Sequence, residues 1–175
     1  MRKIILVLLL ISIILVSGCS EQVNNKNEVF YFESLPGSVI INKLNDDSSK
    51  ANAMVINQYD KIPPIFEKIN ENRPEYTKEQ IPYRIENLDF SRETLIVVTS
   101  GNLPGSLRKN VCPDFIVSEI EKEQYKILVH ARIKEQIVDG GHTTCYGDED
   151  SIIEHYYFFK IPKSNLPAEI VIESQ

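Results

Sequence analysis

The chain of 175 residues contains no tryptophan, two methionines, three cysteines and only seven glycines. So little glycine, with 42% hydrophobic residues, excludes a collagen-like repeat and a low-complexity disordered tract. Basic residues are also scarce, with 19 Lys and Arg against 25 Asp and Glu for a net charge of -6. A nucleic-acid binder carries a basic face, so no nucleic-acid partner is expected. Catalytic signatures are missing as well: there is no Gly-x-Ser-x-Gly, no His-Glu-x-x-His and no phosphate-binding loop. An enzyme is therefore not the expected class. No apolar run reaches the roughly 20 residues that cross a bilayer as a helix.

The apolar residues that are present begin in one block. Arg2 and Lys3 precede Ile4 to Val16, which is apolar everywhere except Ser12. That length suits the h-region of a signal peptide. The block closes on Leu15-Val16-Ser17-Gly18-Cys19, and in this order the chain resembles bacterial prolipoproteins. The resemblance implies a diacylglycerol on the Cys19 thiol, cleavage after Gly18, and acylation of the freed amino group by palmitate or a similar chain. Two or more acyl chains anchor a protein stably at about 0.8 kcal/mol per buried methylene. The alternatives are an ordinary cleaved signal and an uncleaved anchor. Residues 1–18 are thus expected to be leader, 19–28 lipidated cysteine and tether, and 29–175 a single domain. Losing the leader would leave 157 residues and, without Arg2 and Lys3, a formal charge of -8. The tether Ser20–Glu28 is polar apart from Val23, with a reach of roughly 15–18 Å. The expected location is extracytoplasmic, with the lipid on Cys19 holding the chain at an outer-membrane or cell-surface site.

Within the domain, Ser38–Leu44 and Ala53–Asn57 read as strands. Asp60 is the expected cap of a helix with Pro63 and Pro64 in its first turn. Ile62, Ile65, Phe66 and Ile69 form its apolar face, and Arg73-Pro74 ends it. Residues 71–90 read as irregular. Thr94–Thr99 is apolar on both faces and is the expected central strand. Phe115–Ile120 and Tyr125–Ile133 make a hairpin around residues 121–124. Tyr125, Ile127, Val129, Ala131 and Ile133 are expected on one face, with Lys126, His130 and Arg132 on the other. Ile152–Ile161 is apolar or aromatic on both faces, and Ala168–Ile172 makes a last strand. Tyr156 to Phe159 must set two rings on each face, which favours a strand covered on both sides over an open aromatic surface. The expected class is α+β, a mostly antiparallel sheet with one short helix, partly barrel- or sandwich-like.

Cys112 and Cys145 lie in loops flanking strands and, in an oxidising compartment, are expected to form a disulfide. Closing about 34 residues stabilises the fold by roughly 3–4 kcal/mol in the chain-entropy model. The alternative uses are a zinc set of Cys112, His142, Cys145 and His155, or calcium at Asp139 with Asp148, Glu149 and Asp150. Neither has the spacing of a known site, so no metal and no cofactor are expected. Ser100 and Ser106 beside glycines, and His130 on a polar strand face, read as structural rather than catalytic. The candidate binding loops are Leu103, Pro104, Ser106, Leu107, Arg108 and Lys109 in one and Gly141, His142, Thr143 and Tyr146 in the other.

The segment MVINQYDKIPPIFEKI, then Asp89-Phe90-Ser91, the strand Leu95–Val98, and Gly101 with Pro104-Gly105 resembles the C-terminal domain of the bacterial protease-complex subunit PrcB. Ile161–Pro167 is similar to that family's approach to its final strand. The resemblance implies a lipoprotein that supports a cell-envelope protease. It departs where the family continues Gly-Tyr, since Gly105 here runs into Ser106-Leu107-Arg108-Lys109. Gly101–Gly105 is also similar in placement to the inhibitory loop of chagasin-like protease inhibitors, which add a tryptophan that this chain lacks. The leading expectation is a lipid-anchored, protein-binding or scaffold module whose partner is an envelope protein. A small-ligand or metal-binding sensor is the alternative, followed by a protease inhibitor and an enzyme.

Overall fold

The computed structural model describes residues 28–43, 50–71, 78–104, 111–137 and 152–173. Among them the order is β1 (Glu28–Val29), β2 (Glu33–Lys43), β3 (Lys50–Ile56), α1 (Pro63–Asn70), α2 (Tyr83–Glu86), β4 (Glu93–Gly101) and β5 (Leu103–Pro104). Then follow β6 (Val111–Lys122), β7 (Ile127–Ile137), β8 (Ile152–Pro162) and β9 (Ala168–Ile172). The strands form two sheets, ordered β1-β6-β7-β9 and β2-β8-β4-β3, with β5 paired to β8. This is a sandwich-like α+β domain rather than a closed barrel, and the expected class holds at that level.

Period-two alternation along β4 and β8 explains the layering. Ile96 and Val98 of β4, with Ile153, Phe159 and Ile161 of β8, point into the space between the sheets. There they meet Phe115 and Ile120 of β6 and Ile127, Val129 and Ala131 of β7. The intervening residues Leu95, Val97, Tyr156 and Phe158 face the other way, onto Ile62, Phe66 and Ile69 of the α1 region and Ile85 of α2. Phe66 stacks on Phe158 with ring centroids 5.5 Å apart. Both faces of the central strands are thus covered, as expected of strands without a polar face. The Tyr156–Phe159 run is core on both sides, with only Tyr157 left half-exposed.

Several local expectations change. Asp60 sits in a single 3-10 turn, Tyr59–Lys61, and its carboxylate accepts a 3.1 Å hydrogen bond from Gln58 instead of capping α1. Ile62 takes the cap position with no side-chain acceptor to offer; Pro63 and Pro64 bring no N–H, and the Ile65 N–H donates to the Ile62 carbonyl at 3.0 Å. The helix ends at Asn70, before Arg73-Pro74, which lie outside the described residues. The stretch read as irregular contains α2, one turn long, with Ile85 fully buried. Arg84 bonds Glu33 of β2 at 3.0 Å, and Lys160 of β8 reaches both Glu33 (3.0 Å) and Glu93 (3.1 Å). The hydrogen bond and charge of Lys160 hold the Glu33 carboxyl below its ordinary pKa. Tyr125 is exposed in the turn between β6 and β7 rather than on a strand face, since Lys122 already pairs with Ile127.

Among the described strands one pair is parallel, β9 against β7. The reason is topological: β8 runs back through the other sheet, so the chain re-enters the first sheet in its former direction. The path also gives the domain two distinct ends. The chain reaches it at Glu28, opposite Lys122 and beside the β6–β7 turn. The connections spanning 105–110 and 138–151 leave from the far ends of β5, β6, β7 and β8. Strand β6, with 12 residues, separates the two ends by roughly 36–40 Å.

Candidate functional site

At the end remote from Glu28, β4 does not simply stop. Gly101 adopts a left-handed φ of 68°, a conformation that costs a residue with a Cβ, and the strand resumes as β5. The partner sums shift by one, from Thr99 opposite Tyr156 to Leu103 opposite Ile153. The Ser100 hydroxyl bridges this bulge, accepting the His155 backbone N–H at 3.0 Å and donating to the Gly101 carbonyl at 2.8 Å. Ser100 is therefore a ladder substitute, in keeping with its reading as structural.

Between the sheets, His155 is 2% exposed and shares a 2.9 Å hydrogen bond between Nδ1 and the Tyr157 hydroxyl. Tyr157 in turn stacks on Phe115 of β6, centroids 5.8 Å apart. Burial lowers the His155 pKa from 6.5, opposed by the charge of Asp114. The unfolded chain therefore binds this proton more readily than the folded one. Stability is full above the ordinary histidine value and falls as pH drops below 6.5 toward the folded-state pKa. Melting temperatures followed from about pH 8 to pH 5 should show this loss, and His155→Gln should flatten that part of the profile. His130, by contrast, lies on the outer face of its sheet between Glu121 (3.3 Å) and Glu173 (3.5 Å), as a cross-strand partner.

On the helix side, α1 covers Phe158 but overhangs the rest of the sheet, leaving a cleft of about 260 Å³. Glu154, Tyr156 and Thr99 line it, each at least nine-tenths buried. The Tyr156 hydroxyl donates to Glu154 at 3.0 Å. Burial, with the Glu154 charge behind it, pushes the Tyr156 phenol well above its ordinary pKa, so it stays a donor. Lys50 of β3 and Lys68 of α1, both exposed, complete the rim, and Met54 and Ile65 supply apolar wall. No residue of this cleft stood among the expected contacts. The available signal was Glu154 itself, an acid inside the run Ile152–Ile161, where every neighbouring position is apolar, aromatic or histidine up to Lys160.

The expected loop residues divide sharply. Leu103 is a core side chain, 6% exposed and paired to Ile153, so its expected contact role is corrected: burial between the sheets removes it from any partner. Pro104 is exposed at the same end. Ser106, Leu107, Arg108, Lys109, Gly141, His142, Thr143 and Tyr146 lie outside the described residues, as do Cys19 and Cys145. Cys112 is buried near the start of β6, at the end from which the 105–110 connection arrives. Among the described residues, no three His, Cys, Asp or Glu side chains gather to hold a metal. No described helix is long and apolar enough to cross a membrane. The Asp89-Phe90-Ser91 segment forms a side-chain turn, with the Ser91 hydroxyl (2.6 Å) and N–H (3.0 Å) donating to the Asp89 carboxylate. Those two bonds lower the Asp89 pKa. No protein-family model, no curated protein and no solved structure matches the chain.

Proposed function

We propose that this chain is a lipid-anchored, extracytoplasmic binding module that presents the end of its sandwich remote from Glu28 to a partner protein of the cell envelope. The single observation that carries the reading is the opposition of its two ends. The first described residue, Glu28, lies opposite Lys122 beside the β6–β7 turn, nine positions after Cys19 in the sequence. Pro104, Val111, Ile137 and Ile152, the described residues that bound the connections 105–110 and 138–151, lie at the other end. A domain anchored through Cys19 hangs by the first end, leaving the second directed away from the lipid. Its formal charge of -8 after processing adds weak repulsion from an anionic lipid surface. A Cys112–Cys145 disulfide would tie the start of β6 to the 138–151 connection at that end. The resemblance to the PrcB C-terminal domain drawn from the sequence between Ala53 and Gly105 and at Ile161–Pro167 makes an envelope protease assembly the first partner to test.

Site-specific photocrosslinking in intact cells tests the reading. A photoreactive residue at exposed Pro104 should capture one discrete extracytoplasmic protein, whereas the same residue at exposed Tyr125 should not. Equal capture from both ends, or none from Pro104, would overturn it.

A further inference from the structure

The cleft beside α1 has a chemistry of its own, independent of the partner-binding face. Along the helix-facing side of β8 the residues pass from Phe158 through Tyr156 to Glu154, from hydrocarbon to phenol to carboxylate. Across the ladder, Thr99 lies opposite Tyr156, and Asn52 opposite Thr99. A sheet face that packs on a helix is normally apolar throughout, and an ionised carboxylate is costly to bury without compensating partners. Here Glu154 is 3% exposed, held by the Tyr156 hydroxyl and by further contacts of the fold. The polar residues occur where the sheet emerges from under α1 and borders open space.

We propose that this cleft binds a small zwitterion, an aliphatic α-amino acid, with its ammonium group toward Glu154 and its carboxylate toward Lys50 and Lys68. The two charge types share one cavity but differ in exposure: the acid is buried in the floor and the cations stand exposed at the rim. A ligand with only a positive charge meets the lysines on its way in, and one with only a negative charge meets Glu154 at the bottom. A zwitterion satisfies both. Met54 and Ile65 offer hydrocarbon to its side chain. At about 260 Å³ the space falls just below the roughly 300–1,000 Å³ usual for drug-sized ligands. The Thr99 hydroxyl can accept from an ammonium group at the same floor.

Isothermal titration calorimetry on the full chain in detergent tests this, using L-leucine, N-acetyl-L-leucine, L-leucinamide and spermidine. L-leucine should bind saturably, and each of the other three at least about tenfold more weakly. Glu154→Gln should weaken L-leucine about tenfold, and the double variant Lys50→Gln/Lys68→Gln should weaken it several-fold. Because both lysines are exposed, the double variant should keep the wild-type melting temperature, which separates lost binding from lost folding. Absence of saturable L-leucine heat up to about 10 mM, ten times a millimolar Kd, would overturn the proposal. So would equal binding of the N-acetyl or amide form, tighter binding of spermidine, or an unaffected double variant. Failure here leaves the crosslinking result untouched, and the reverse is also true.

Discussion

Phe158→Ala is expected to cost about 3–5 kcal/mol and to lower the melting temperature by roughly 6–20 °C, the largest stability loss of any single truncation considered. Phe158 is 1% exposed, sits between Leu35 of β2 and Val97 of β4 in the ladder, and stacks on Phe66 of α1. Its removal opens a cavity at the contact that joins the helix layer to the sheet, and neighbours fixed in a ladder collapse only partly. Tyr125→Ala is the matched control. That ring is 74% exposed in the β6–β7 turn, so its loss should stay within about 0.5 kcal/mol. Urea denaturation of both variants decides the matter. Equal midpoints would mean that α1 does not pack on this sheet as described.

The second large effect concerns location. Cys19→Ala should move nearly all of the protein out of the membrane fraction, because it removes the only thiol that can carry the lipid in the Leu15–Cys19 context. Anchoring by two or more acyl chains is stable, whereas the polar tether Ser20–Glu28 offers a bilayer almost nothing to hold. The check is fractionation of cells expressing either form. A variant that stays in the membrane pellet under high salt and carbonate would point to an uncleaved leader instead.

Much of the layer structure was legible because strands β4 and β8 carry apolar side chains at both parities. A run such as Leu95-Ile96-Val97-Val98 has no solvent face to offer, so only a central position under two layers suits it. The helix was legible from Ile62, Ile65, Phe66 and Ile69, whose spacing places them on one stripe. Its cap was not, because Ile62, with no side-chain acceptor to offer, takes that position ahead of two prolines. α2 was missed for a different reason. Four residues carry no periodicity, and Ile85 is held by tertiary burial rather than by local preference. The parallel pairing of β9 with β7 depends on β8 crossing to the other sheet, a decision made by long-range packing.

The cleft was illegible for a similar reason. Lys50, Thr99, Glu154 and Lys68 are separated by up to 104 positions and meet only through the β3-β4-β8 ladder and the docking of α1. Leu103 illustrates the opposite error. A Leu-Pro-Gly segment beside glycine reads as an exposed loop, yet the Gly101 bulge returns the chain to β8 and carries Leu103 inward. Loop composition marks where a chain turns, and the strand it rejoins decides which side chains remain outside.

In the proposed arrangement the domain hangs by one end through Cys19, with its opposite end free for a partner. Intact mass spectrometry of the protein extracted from membranes tests that most directly. It should show a chain beginning at Cys19, without residues 1–18, carrying diacylglycerol on the thiol and an acyl group on the amino terminus. A chain that retains Met1, or one that begins at or before Cys19 with an unmodified thiol, would contradict it.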